Sequence, residues 1–184
     1  MPAQLVPINP VTSSTCNPTG GISYSWLCEA KFITAITLAS GIITNFTMTT
    51  TGKWNKYSYD RDATANYAET PNRTGKRRSY QQVAFMKFGI IDSPITIAAN
   101  DAILTCDVVA IHVYVSGVRK VQGIEIDANE VGGFSLTKVL QTLLMAGQFS
   151  DTSANENRTE FTLQGEANTL SPVTDITDTE ILAL

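Results

Sequence analysis

"DVVAIHVYVSGVRKVQGIEID", residues 107–127, decides the fold. Val109, Ile111, Val113 and Val115 fall on alternate positions without a break, which is the two-residue period of a strand and not the 3.6-residue period of a helix. Ser116-Gly117 supplies a turn, and "RKVQGIEID" returns as the hairpin partner. A β hairpin at the centre of the chain predicts antiparallel neighbours on either side.

Outward from that hairpin the same period recurs in short segments. Upstream, "ISYSWL" (22–27), "KFITAIT" (31–37) and "IITNFTM" (42–48) read as strands, with Ser40-Gly41 as the turn between the last two. "KWNKYSYD" sets Trp54 at one parity and Tyr57 and Tyr59 at the other, as in a strand covered in part on both faces. "SYQQVAFMKFGI" alternates again, with Val83 and Phe85 against Tyr80, Ala84, Met86 and Phe88. Ser93-Pro94 opens "PITIAANDAIL", where proline at a first helical position and apolar residues at 95, 98, 99, 102 and 103 predict one helix, about 94–104. Downstream, "GGFSLTKVLQTLLMAGQF" (132–149) fits a helical stripe or a strand, and "TEFTLQGEA" (159–167) alternates as a last strand.

Three stretches lack a period. Residues 1–21, rich in Pro, Thr and Ser and closed by Gly20-Gly21, read as an extended arm; residues 60–79 read as a long polar loop; and residues 174–184, with three acids and an apolar tip, read as a C-terminal arm or a docking tail. The expectation is one mainly β domain over 22–173: an antiparallel sandwich or barrel with one flanking helix, a long loop and terminal arms. At 184 residues with 43% hydrophobic and 16% charged side chains, the chain has the composition of a folded domain. Its 24 threonines favour strand over helix.

The charge is unevenly spread. Residues 1–92 hold nine Lys/Arg and five Asp/Glu, residues 93–184 four and twelve, so the halves carry +4 and −8. Four of the thirteen basic side chains, Arg73, Lys76, Arg77 and Arg78, crowd into six positions of the long loop. A phosphate-binding surface needs many cations and, for single strands, aromatic platforms. Four cations in a chain of pI about 4.9 suit an acidic protein surface better, and unlike charge halves suit copies of one chain meeting by different faces. A solvated loop with no partner is the alternative.

Candidate chemistry is sparse. The only histidine, His112, lies within the apolar strand, which favours a structural imidazole over a catalytic base. A Ser-His-Asp arrangement would have to be built on that strand residue, and no glycine-rich phosphate loop occurs. Carboxylates cluster at "EIDANE" (Glu125, Asp127, Glu130) and at Asp60 and Asp62, without the sharp-turn glycine of an EF-hand loop, so they read as solvated turns. Cys16, Cys28 and Cys106 show no C-x-x-C spacing and read as free, buried thiols. Neither an enzyme nor a cofactor site is expected. With no signal-like N-terminus and no long uncharged apolar run, the expectation is a soluble chain made in a cytoplasm and not inserted in a membrane.

Taken together, "CNPTGGISYSWLCEAKFITAIT", the polar stretch before "SYQQVAFMKF", "VVAIHVYVSGVRKVQGIEID" and the closing "ENRTEFTLQGEANTLSP" resemble the layout of tail tube proteins of tailed bacteriophages, particularly of phages that infect Bacteroidota, across roughly residues 16–173. The resemblance implies a β-sandwich or barrel with one helix, assembled as hexameric rings that stack into a hollow conduit. DNA would pass without specific binding; the partners would be copies of the chain and other virion proteins, and the location the phage tail. In that family a long loop and terminal arms reach neighbouring subunits, which would place Arg73, Lys76, Arg77 and Arg78 at a subunit contact. A capsid decoration or head-to-tail connector protein would share these features. A carbohydrate-binding β-sandwich would instead expose Trp26, Trp54 and Tyr57 or Tyr59 as a sugar platform.

Overall fold

The structure, a computed structural model, describes residues 21–58, 65–74, 77–88, 107–137, 139–146 and 158–184. The central hairpin appears as β7 (Val108–Tyr114) and β8 (Arg119–Gln122), paired antiparallel with His112 opposite Lys120. β1 (Ile22–Glu29) pairs with the other side of β7, and β4 (Asn55–Ser58) with β1, giving a sheet of order β4-β1-β7-β8. A second antiparallel sheet has the order β11-β12-β6-β5, from β5 (Asn66–Thr74), β6 (Arg77–Phe88), β11 (Val139–Ala146) and β12 (Arg158–Ala167). β2 (Ile33–Ala39) and β3 (Ile42–Met48) form a separate hairpin, and β9 (Ile124–Ile126) pairs with β10 (Phe134–Leu136). The fold is mainly β and antiparallel, in the manner of a sandwich.

The arrangement has three layers because β7 is buried on both faces. Leu27, Tyr57, Val108 and Ala110 of the first sheet meet Tyr67, Ala84, Met86, Phe161 and Leu163 of the second. On the opposite face of the first sheet, Trp26, Val109, Ile111, Val113 and Val121 meet Ile33, Ile43 and Phe46 of the β2–β3 hairpin, Ile124 and Phe134 of β9 and β10, and Ile176 and Ile181 near the C-terminus. A strand sandwiched in this way must be apolar at both parities, as "VVAIHVY" is. His112 is the exception, and its polar atoms are all paired, as described below.

Two turns explain how the outer layer is held. Ser40 and Gly41 at the β2–β3 tip both have positive φ (53° and 80°), the conformation that matches the twist of a two-residue hairpin. Gly132, at φ 90°, brings the β9–β10 connection against β2: a Cβ there would lie 2.5 Å from the Thr34 carbonyl oxygen, and its own carbonyl accepts from Ile36 N at 2.9 Å.

Several expectations are corrected. Of the stretch read as a loop over 60–79, residues 66–74 and 77–79 are not loop but strand, and β5 and β6 form a long hairpin. β5 is not legible in the sequence because only Tyr67 marks its inward face with a large apolar side chain, Glu69 taking the next inward position; it is an edge strand, paired only with β6 among the described residues, and it carries Pro71, which an edge tolerates. Of the two readings of residues 174–184 the docking tail holds and the extended arm does not: they pack on the body and end in α1 (Asp178–Ala183), the one α-helix among the described residues. The ambiguous segment 132–149 resolves to strand at β10 and β11. The helix expected over about 94–104 lies outside the described residues, as does the arm over 1–21 apart from Gly21.

Candidate functional site

Of the basic cluster, Arg73, Arg77 and Arg78 fall on the last described pairs of the β5–β6 hairpin. The ladder between β6 and β12 stops at Tyr80 opposite Ala167, whereas β5 and β6 stay paired beyond it, through Asn72–Ser79 and Arg73–Arg78 to Thr74–Arg77. The hairpin therefore continues past the sheet as a two-stranded finger, steadied at its base where Ser79 Oγ donates to Glu166. Arg73 and Arg78 lie directly opposite each other and both are exposed. Facing like charges across an antiparallel pair work against the hairpin, by roughly 0.2–1 kcal/mol. Lys76 and the Arg77 side chain lie outside the described residues.

The second notable feature was not legible as a site. Residues 172–174 insert as a strap between β8 and β3. Val121 N donates to the Pro172 carbonyl at 2.9 Å and Thr174 N to the Arg119 carbonyl at 3.1 Å, while on the other side Ile43 N donates to the Val173 carbonyl at 3.0 Å. Thr174 Oγ1 also donates to the Ile43 carbonyl at 2.7 Å. The strap runs antiparallel to β8 and parallel to β3, so it joins the four-stranded sheet to the β2–β3 hairpin. Ile176 and Ile181 follow it into the core.

Asp178, at the first turn of α1, locks the strap down. Its carboxylate accepts from Tyr24 OH at 2.9 Å, Trp26 Nε1 at 3.3 Å and Lys56 Nζ at 2.9 Å, and pairs with the Arg119 guanidinium at 3.1 Å. Partial burial works against its ionisation, but Lys56, Tyr24 and Trp26 prevail and hold it below the usual carboxylate range. Burial and the Asp178 carboxylate push the Tyr24 phenol up to about 12. Lys56 also lies over the Tyr24 ring, 3.7 Å from its centroid. A reciprocal cap completes α1: Thr177 Oγ1 accepts from Glu180 N at 3.3 Å, and Glu180 accepts from Thr177 N at 2.7 Å. "TDTE" is the sequence signal for this cap, and it identifies the helix start that the charge reading passed over.

The groups that could carry chemistry are otherwise committed. Ser25 Oγ lies 2.8 Å from His112 Nδ1 and Gln122 Oε1 lies 3.0 Å from His112 Nε2. Gln122 Nε2 donates to the Gln82 and Leu163 carbonyls at 3.3 and 3.2 Å, which leaves Oε1 as the acceptor facing His112. The imidazole is therefore neutral, with its proton on Nε2 and Nδ1 accepting from Ser25. It is fully buried and stacks on Tyr67 at 4.8 Å, and burial pulls its pKa down to about 4 against the Gln122 hydrogen bond. Ser25, His112 and Gln122 all belong to the first sheet, and it is Gln122, through the Gln82 and Leu163 carbonyls, and the Tyr67 ring that tie this fully buried group to the second. Nearby, Glu69 pairs with Lys120 and accepts from Ser171 N at 2.6 Å. Burial opposes the charge on Glu69, and Lys120 and Ser171 overcome it, so its carboxyl titrates low.

The remaining candidates behave as turn or core residues. Glu125 accepts from Thr169 N at 3.2 Å and from Asn168 N, and Asp127 accepts from Asn129 N at 3.0 Å. Among the described residues no group of three or more His, Cys, Asp or Glu is placed to hold a metal ion, and no helix is long and apolar enough to cross a membrane. Asp60 and Asp62 fall outside them. Cys28 is buried, and burial raises its thiol to about 12; Cys16 and Cys106 are not among the described residues. Trp26, Trp54 and Tyr57 are 2%, 6% and 1% exposed, so those three rings offer no sugar platform; Tyr59 lies outside the described residues.

No protein-family model matches the chain, and comparison with curated proteins and with solved structures likewise gives no match.

Proposed function

We propose that the chain is a structural virion protein, a tail tube subunit of a tailed bacteriophage, which assembles with copies of itself into stacked hexameric rings enclosing a conduit for DNA. The basic finger carries this reading: a two-stranded projection with arginines facing each other, on a chain whose other half is acidic, suits contact with an acidic protein surface. The three-layer β body supports it by giving the finger a stiff base. The acidic excess of the chain suits a bore that lets DNA slide without gripping it. Apolar burial between subunits supplies most of the association energy in such rings, and the charges fix register. Arg73, Lys76, Arg77 and Arg78 are the proposed contact residues.

Negative-stain microscopy of the purified chain tests the reading, with tubes or stacked rings as the expected result. The Arg77→Glu/Arg78→Glu variant is expected to stay folded and fail to assemble. A wild-type protein that remains monomeric at high concentration overturns the tube reading and leaves a capsid decoration or connector role, in which the chain adds to a preformed shell.

A further inference from the structure

The C-terminal end of the chain supplies an acidic counterpart to the basic finger. After Arg158 the chain holds no Lys or Arg but five acids, Glu160, Glu166, Asp175, Asp178 and Glu180. Glu166 is engaged by Ser79 of the finger's own base, and Asp178 is saturated by Lys56, Arg119, Tyr24 and Trp26. The Glu160 side chain lies outside the described residues, and Asp175 and Glu180 are exposed on the outward side, because Thr174, Ile176 and Ile181 face inward; Glu180 Oε2 also accepts from Thr177 in the helix cap. The two acids are flanked by Val173, 38% exposed, and Leu182, 73% exposed. Val173 and Asp175 sit on the backbone-paired strap, and Glu180 and Leu182 on α1, which Asp178 and Ile181 hold to the body, so together they make a surface that is acidic and apolar at once.

We infer that the outer face of the strap, Val173 to Leu182, receives the basic β5–β6 finger of a second copy. The inference rests on the self-assembly reading and assigns its contact. The charges match in sign: the finger, residues 72–79, contains Arg73, Lys76, Arg77 and Arg78 and no acid, and the chain from Thr159 onward contains no base. Arg78 is exposed at the end of its strand, and the methylene stems of arginine cover apolar neighbours such as Leu182 while the guanidinium reaches a carboxylate. The two surfaces lie on different elements of one chain. Their union is therefore head to tail, the geometry that closes into rings or runs on as a filament. It also puts an intersubunit load on the strap that joins the two sheet systems within each copy.

A charge-swap series on the full-length chain tests this, read by sedimentation velocity and negative-stain microscopy, with circular dichroism as the control for folding. Arg77→Glu/Arg78→Glu and Asp175→Arg/Glu180→Arg are each expected to weaken association by about tenfold or more, and the four changes combined in one chain to restore it to within a few fold of wild type. Because Glu180 also caps α1, Asp175→Arg/Leu182→Arg is made as a second strap variant that leaves the cap intact. Wild-type assembly with no rescue in either combined chain overturns the strap as acceptor and leaves the self-assembly reading standing. Rescue by Glu130→Arg instead overturns it in favour of the β9–β10 turn, where Val131 is 95% exposed. Rescued pairwise association without rings or tubes upholds the contact and overturns the tube, and a wild-type chain that never associates overturns both.

Discussion

His112 shows how a single buried side chain makes the fold sensitive to acid. In the folded chain its pKa falls to about 4, whereas an unfolded histidine titrates near 6.5. As pH drops from about 6.5 towards 4 the unfolded chain takes up a proton that the native imidazole refuses, so stability falls through that window and levels off below it. The expected loss is on the order of 3 kcal/mol. Urea denaturation across this range measures it, and His112→Gln is expected to flatten the curve. Asp178 and Glu69 act lower down: their folded-state pKa values are depressed, so their contribution is present above the ordinary carboxylate range and disappears as pH falls through their native values. Asp178→Asn weakens two ion pairs at a partly solvated site, and after allowance for screening about 1 kcal/mol is expected. Faster amide exchange over residues 172–184, with β7 unchanged, is the accompanying sign.

At the scale of elements, the strands that read most clearly are those rich in β-branched and aromatic residues, whether burial follows parity, as in β12, or takes in both faces, as in β1. β3 matches the expected 42–48, and β1 and β12 depart from the sequence reading only at their ends. β5 was illegible for a physical reason: its backbone pairs with β6, but its polar side chains, Glu69, Asn72 and Arg73 among them, follow contacts with Lys120, Ser171 and solvent instead of a core. The strap was illegible for another reason, since its partners Arg119, Val121 and Ile43 lie far away in sequence. The candidate site was thus half visible, as a basic cluster without its hairpin and an acidic tail without its fixed face. Two substitutions test the local geometry. Ser40→Asn is expected to stabilise the β2–β3 turn by a few tenths of a kcal/mol, because asparagine accepts positive φ more readily. Gly132→Ala is expected to cost roughly 1–3 kcal/mol, from positive φ and the clash with the Thr34 carbonyl. Thermal denaturation reads both.

For the whole molecule, the division of charge predicts a response to salt. Contacts between an exposed basic finger and an exposed acidic strap act over a Debye length of about 10 Å at 0.1 M and about 3 Å at 1 M. Association is therefore expected to slow and weaken as salt rises, while the stability of the monomer, which rests on two apolar cores, changes little. Sedimentation at graded ionic strength, set beside urea denaturation in the same buffers, separates the two effects. An assembly indifferent to salt would show that apolar faces alone direct it.

The strap also sets the order in which this chain can fold. Thr174 and Ile43 are separated by 131 positions, so their pairing closes one of the longest loops in the molecule and forms only after nearer strands have met. Until then β8 and β3 stand as open strand edges beside apolar surface, in a topology already rich in distant contacts. Refolding is therefore expected to show a concentration-dependent competition between correct closure and aggregation. Substitutions at Ile176 should accelerate unfolding while leaving the folding rate nearly unchanged, the kinetic mark of a contact made after the barrier.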